Sequence, residues 1–126
     1  MNQKVIGNLG EKIAESYLKK KGYQILEKNY SFRIPGSPQK GEIDIIAKKD
    51  DIISFIEVKT LQCSNFFILP EEKVNYSKRK KLIIVAESWL IKNKISLNSK
   101  WQIDVIGIKI KNGKAKISHF ENVVAE

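Results

Sequence analysis

Gly41-Glu42-Ile43-Asp44-Ile45-Ile46-Ala47 and, eight residues from Asp44, Ile52-Ile53-Ser54-Phe55-Ile56-Glu57-Val58-Lys59 form the stretch on which the fold turns. Both runs are rich in β-branched residues, and the charged tip Lys48 to Asp51 separates them, so they read as the two strands of a hairpin. With Asp50-Asp51 as a two-residue turn, residues whose numbers sum to 101 lie opposite each other: Asp44 faces Glu57, and Glu42 faces Lys59. Alternation along a strand then sends Glu42, Asp44, Glu57 and Lys59 to one face and Ile43, Ile45, Ile56 and Val58 to the other. Opposed carboxylates repel, a cost that a divalent cation would remove. The plainer alternative is an amphipathic hairpin with one cross-strand ion pair on a solvated face, and Asp-Asp is a poor type I′ turn.

Outward from the hairpin, apolar Leu9, Ile13, Ala14, Tyr17 and Leu18 recur at helical spacing between Asn8, a candidate N-cap, and Gly22, a candidate stop. Tyr23 to Leu26 reads as a short strand, and Ile34 to Lys40, with its prolines, as a loop. Leu61 to Leu69 is irregular and leads through Pro70, Glu71 and Glu72 into a helix whose apolar face is Val74, Leu82, Val85, Ala86, Trp89 and Leu90. Gln102 to Ile110 and Lys114 to Phe120 form a second hairpin around Asn112-Gly113, a strong type I′ signal, with a short tail after Phe120. The coarse order is αβββαββ.

The chain has 126 residues and a formal charge of +9 from 23 Lys and Arg against 14 Asp and Glu. That length suits one domain, which would bury roughly two thirds of the unfolded surface. No apolar run reaches the ~20 residues of a bilayer span, so no membrane partner is expected. The single Cys63 excludes an internal disulfide and any multi-cysteine zinc site, and the N-terminus carries no secretory signal, so a cytoplasmic setting is expected. The positive surplus attracts polyanions such as nucleic acid, or serves only for solubility. Hard carboxylate oxygens suit Mg²⁺, with Lys59 placed to orient water or neutralise a phosphate.

Gly41 to Ala47 with the following Ile56-Glu57-Val58-Lys59-Thr60 resembles the YraN family of uncharacterised bacterial proteins, which look like PD-(D/E)XK nucleases and Holliday junction resolvases. The resemblance spans nearly the whole chain: the helix motif Gly7-x-x-Gly10-Glu11-x-x-Ala14, Gly22-Tyr23 with Asn29 following, Lys78 at the second helix, and Ile103-Asp104-Val105. It implies a restriction-endonuclease-like αβββαβ core in the α/β class, with a mixed central sheet flanked by two main helices and an extra C-terminal strand, over residues 1–126 as one domain. It also implies that Asp44 and Glu57 hold Mg²⁺ (or Mn²⁺) with the Val58 carbonyl as a further ligand, that Lys59 serves the attacking water, and that Glu11 joins the site. Glu11 has its own alternative, an acid favoured by a nearby helix N-terminus. The chain departs from the family pattern at Leu61, at Gln102 and in the run Ile34 to Lys40.

The activity implied is metal-dependent hydrolysis of DNA, on branched or single-stranded substrates, with a symmetric dimer as in resolvases. The alternatives are a non-catalytic nucleic-acid-binding module that retains the fold, and a basic adaptor for an acidic protein. Lys78, Lys81 and Arg33 are the candidates for backbone phosphates; Lys109 with Lys111, and Lys114 with Lys116, form a second basic stripe. Phe66 and Phe67 are expected to stack on unpaired bases, to pack in a dimer interface or to anchor their loop to the core, Trp89 to sit in the core, and Trp101 is ambiguous. His119, the only histidine, has no metal-ligand partner by spacing and receives no role.

Overall fold

The computed structural model describes residues 2–62 and 76–124. Its elements are α1 (Gln3–Lys20), β1 (Gln24–Arg33), β2 (Lys40–Lys49), β3 (Ile52–Gln62), α2 (Tyr76–Lys92), β4 (Trp101–Lys111) and β5 (Lys114–Phe120). The five strands form one mixed sheet in the order β1-β2-β3-β4-β5. All neighbours are antiparallel except β3 and β4, which run parallel. A parallel pair needs a crossover, and α2 lies in the connection that supplies it. This is the expected α/β architecture, with the mixed sheet between two helices and a C-terminal strand added.

Each helix covers its own core. Leu82, Val85, Ala86, Trp89 and Leu90 of α2 pack with Ile43, Ile46, Phe55 and Ile103, while Ile6, Ala14 and Leu18 of α1 pack with Ile45, Ile56, Ile106 and Ile108. The inner strands β3 and β4 are covered on both faces and read as near-continuous apolar runs, whereas the edge strands β1 and β5 are mostly exposed or half-buried. Trp89 is core, as its helical spacing predicts, and its indole N–H donates to Glu27 Oε1 at 3.0 Å. Trp101 is partly buried with its ring edge-on to Phe55.

Both tight turns have the expected geometry. Asp50 and Asp51 have φ of 50° and 67°, and Asn112 and Gly113 have 51° and 74°, the left-handed pair that a type I′ turn requires. Asp tolerates this region because its short polar side chain bonds locally. The register sum of 101 holds from Lys49 opposite Ile52 to Ile45 opposite Ile56.

Several expectations need correction. Helix α1 starts before Asn8 and is capped by Asn2, whose Oδ1 accepts the Val5 N–H at 2.9 Å. Its buried stripe is Ile6, Gly10, Ala14 and Leu18, whereas Leu9 is exposed. The end at Gly22 stands: the Tyr23 N–H reaches the Leu18 carbonyl and the Gly22 N–H that of Lys19, a Schellman closure. Strand β1 is longer than Tyr23 to Leu26, and β3 continues through Leu61 to Gln62. The residues after Phe120 are docked, with the Val123 N–H donating to the Ile103 carbonyl at 2.8 Å. Cys63, Phe66, Phe67, Leu69, Pro70, Glu71, Glu72 and Val74 lie outside the described residues.

Candidate metal and phosphate site

The site is built where the first hairpin stops being a ladder. Pairing of β2 with β3 runs to Ile45 and Ile56. Past that point Asp44 Oδ2 accepts the Val58 N–H at 2.7 Å, so a side-chain carboxylate takes the place of a backbone acceptor. The expected facing pairs of Asp44 with Glu57 and of Glu42 with Lys59 are therefore absent from the ladder. On the other side of β2, Asn29 has φ of 55° and falls between the pairs Lys28 with Ile45 and Tyr30 with Ile43, level with Asp44. Across this irregularity the alternation breaks: Ile43 enters the α2 core while Ile45 enters the α1 core, not the shared face expected of them.

Two clefts meet at Asp44 and Glu42. One, of about 630 Å³, is also lined by Lys40, Glu57, Lys78 and Lys81. The other, of about 800 Å³, is lined by Glu11, Val58, Lys59 and Thr60. The structure thus brings Glu57, Lys78 and Lys81 to one cleft and Glu11, Val58 and Lys59 to the other, with Glu42 and Asp44 shared between them. Arg33 is exposed and lines neither cleft.

Close approach of the helices makes this possible. A Cβ on Gly10 would overlap the Thr60 side chain, and one on Gly41 would overlap Val85, so at both points a helix comes close to the sheet because a side chain is missing. Gly10 seats α1 on β3 and brings its neighbour Glu11 to the cleft. Since α1 begins at Gln3, Glu11 is in the helix interior, and the alternative of a dipole-favoured N-terminal acid does not apply.

The electrostatics are those of crowded acids. Burial pushes the Asp44 carboxyl up to about 6, against the pull of the Val58 hydrogen bond, and Glu11, Glu57 and Glu42 add to the rise. Burial followed by the charge of Glu42 also raises Glu11, in spite of Lys28. Glu57 is 9% exposed. Its Oε1 meets Lys59 at 3.2 Å and Lys78 more closely still, while its buried Oε2 has no hydrogen-bond partner among the described residues. Burial and the adjacent Lys59 hold Lys78 below the ordinary lysine range despite Glu57; Lys59, despite burial, is raised by its bond to Lys78 and by Glu57 and Asp44. Lys81 donates to Gln39 Oε1 at 2.7 Å, and Arg79 and Lys80 are exposed, so the basic cluster divides between cleft and solvent.

The donor set fits a hard divalent cation. A buried carboxylate oxygen with no partner among the described residues, near a second carboxylate crowded by acids, is a cost that a bound cation removes, and Mg²⁺ takes one or two carboxylates with water and phosphate completing its shell.

A second cluster escaped sequence reasoning. Asp104, fully buried on β4, accepts from His119 Nε2 at 2.9 Å through Oδ2, and from the Asn122 N–H at 2.9 Å and Gln102 Nε2 at 3.0 Å through Oδ1. A carboxylate can only accept, so with Nε2 carrying the proton a neutral imidazole accepts the Tyr17 hydroxyl on Nδ1, at 3.1 Å. Asp104, His119 and Glu121 present ligand atoms within 4.8 Å of one another and could hold a metal ion, contrary to the expectation that His119 has no such partner. The signal that could have found it was the register of the second hairpin, where His119 pairs with Ile106, two residues from Asp104 and so on the same face of β4. In the same hairpin Lys109 is buried, so the expected basic stripe of Lys109 and Lys111 is not a solvated one.

Among the described residues no helix is long and apolar enough to cross a membrane. Residues 10–108 match the uncharacterised protein family UPF0102. A UPF0102 protein of Alkaliphilus oremlandii is 44% identical over 97% of this chain and 98% of its own, and one of Clostridioides difficile is 46% identical over 97% and 98%. A UPF0102 protein of Brachyspira hyodysenteriae is 37% identical over 97% of both chains. The chain belongs to this family, the YraN family that its motifs resemble.

Proposed function

We propose that this UPF0102 protein is a metal-dependent DNA endonuclease whose site is the pair of clefts around Asp44. One observation carries the reading: Glu57 is buried with one oxygen that has no partner among the described residues, within the electrostatic reach of Asp44. A structural carboxylate would have its oxygens paired.

Asp44 and Glu57 would hold Mg²⁺ or Mn²⁺, with the Val58 carbonyl as a further ligand. The cation would supply a polarised phosphate oxygen and a bound water of lowered pKa. The chain's own groups do the rest. Asp44 is fixed by the Val58 N–H, which pre-orients it as a ligand. Lys59 is held against Glu57, where its ammonium can orient the attacking water or meet the charge that develops on the phosphoryl oxygens. Glu11 has a raised pKa and lines the same cleft, so it can take a proton from that water or retain one for the leaving oxygen. Lys40, Lys78 and Lys81 line the other cleft, where the flanking phosphates would lie. DNA is the partner in this reading, with a symmetric dimer on a two-fold branched substrate. The setting is cytoplasmic, and all 126 residues act as one nuclease domain.

The test is cleavage of branched, flapped and single-stranded DNA by purified protein with Mg²⁺. Asp44→Ala, Glu57→Ala and Lys59→Ala are each expected to reduce cutting by at least about a hundredfold while DNA binding survives. Cutting that persists in these variants overturns the assignment. Salt-sensitive DNA binding with no calorimetric signal for Mg²⁺ or Mn²⁺ favours the non-catalytic module instead.

A further inference from the structure

We propose that Lys78 is a resident counter-cation of Glu57 that a divalent metal displaces, and that the displaced ammonium then takes a backbone phosphate of the substrate. This deepens the reading of the Asp44 site and rests on it.

Three observations point this way. Among the described residues Glu57 carries two ammoniums on one oxygen, Lys59 and Lys78, and none on the other, which is buried and has no partner there. A cation that uses the orphaned oxygen would bring a third positive body to a single buried carboxylate. At this range, like charges repel strongly in a partly desolvated site. One ammonium has to leave.

The structure distinguishes the two. Lys59 follows Glu57 by two residues on the same strand and lines the cleft of Glu11 and Thr60, so its backbone holds it beside the metal ligands. Lys78 reaches across from the first turn of α2, a different element, and its side chain is 34% exposed. It already lines the cleft shared with Lys40 and Lys81. Its flexible stem has three rotatable donors and suits a single phosphate oxygen as well as it suits a carboxylate.

The consequence is a linkage between metal and substrate. Metal at Glu57 releases Lys78 for phosphate, and phosphate on Lys78 vacates Glu57 for metal. By reciprocity each strengthens the other by the same factor. Without DNA, Lys78 competes with the metal, which keeps the hydrolytic centre poorly loaded until the backbone of a nucleic acid is in the cleft.

The experiment is calorimetric titration of Mn²⁺ into wild type, Lys78→Met, Lys78→Arg and Asp44→Asn proteins. Each is measured alone and with a short single-stranded phosphorothioate oligonucleotide, chosen because it resists hydrolysis. Lys78→Met is expected to bind Mn²⁺ about tenfold more tightly than wild type in the absence of DNA, with Lys78→Arg near wild type. The oligonucleotide is expected to tighten Mn²⁺ binding to wild type by about fivefold or more, and not to affect Lys78→Met. If Lys78→Met binds Mn²⁺ no better than wild type, while Asp44→Asn has lost binding, the counter-cation proposal fails and the metal site stands. If Asp44→Asn binds Mn²⁺ as wild type does, both fail together.

Discussion

Glu57 and Asp104 are buried carboxylates on neighbouring parallel strands, and the fold treats them in opposite ways. Asp104 on β4 accepts three hydrogen bonds, from His119, Asn122 and Gln102, spread over both oxygens. Glu57 on β3 has two lysines on one oxygen and, among the described residues, nothing on the other. The first arrangement is closed: it ties β5 and the residues after it to β4. The second is open, and the neighbours of Glu57 include further acids. Burial alone therefore does not mark a functional carboxylate. What separates a clasp from a site is whether the buried oxygens have found partners.

Breaking the closed end should have the largest effect on stability. Asp104→Ala leaves His119, the Asn122 N–H and the Gln102 amide without their acceptor, and is expected to cost about 3–5 kcal/mol in denaturant unfolding. A loss below about 1 kcal/mol would show that this network is not the clasp described.

At the open end the sign should reverse. The folded-state value of Asp44, about 6, lies above its ordinary 3.8, so the folded chain holds the proton more tightly than the unfolded one. Its effect on stability is most favourable below pH 3.8 and declines as the pH rises through about 6. Asp44→Asn keeps an acceptor for the Val58 N–H and loses the charge. It is expected to gain about 1–3 kcal/mol at pH 7 without divalent metal, with the gain vanishing in acid. Thermal melts of both proteins across this pH range check it, and a destabilised variant at neutral pH would contradict the crowding of charge.

The smallest effect sharpens the contrast within one helix. Glu15, one turn from Glu11 on α1, meets Lys19 at 2.7 Å and Lys28 at 2.9 Å, and these hydrogen bonds pull its carboxyl down to about 2. Its contribution is present above the ordinary 4.5 and is lost as the pH falls towards about 2. Glu15→Gln is expected to cost less than about 1 kcal/mol at neutral pH, and less again in high salt. A salt-insensitive loss would mean that packing rather than charge is involved.

Much of this was legible before any coordinates. The hairpin register followed from a β-rich run on each side of Asp50-Asp51, because a two-residue turn leaves only one pairing that fits. The Asn112-Gly113 turn was equally plain. The end of the β2 and β3 ladder was not, since nothing local announces that the Asp44 side chain will replace a backbone acceptor. Nor was Asn2 as the cap, because Gln3, Lys4 and Val5 of the first turn are exposed and only Ile6 there joins the buried stripe. The exposed Leu9 has the same cause: small residues, Gly10 and Ala14, mark the buried face because the helix lies close to the sheet there.

By itself the sequence determined the order of elements, the two turns and the cluster of acids and lysines that the first hairpin brings together. These follow from local backbone preference and from periodicity, which act within a few residues. Tertiary structure alone decided which of those charges are satisfied. Tyr17 meets His119 across 102 residues, and Lys78 meets Glu57 from a different element, so both pairings depend on packing of the helices against the sheet. Partner, burial and pKa are properties of that packing, and they give one buried carboxylate partners on both oxygens and leave the other, among the described residues, with partners on only one.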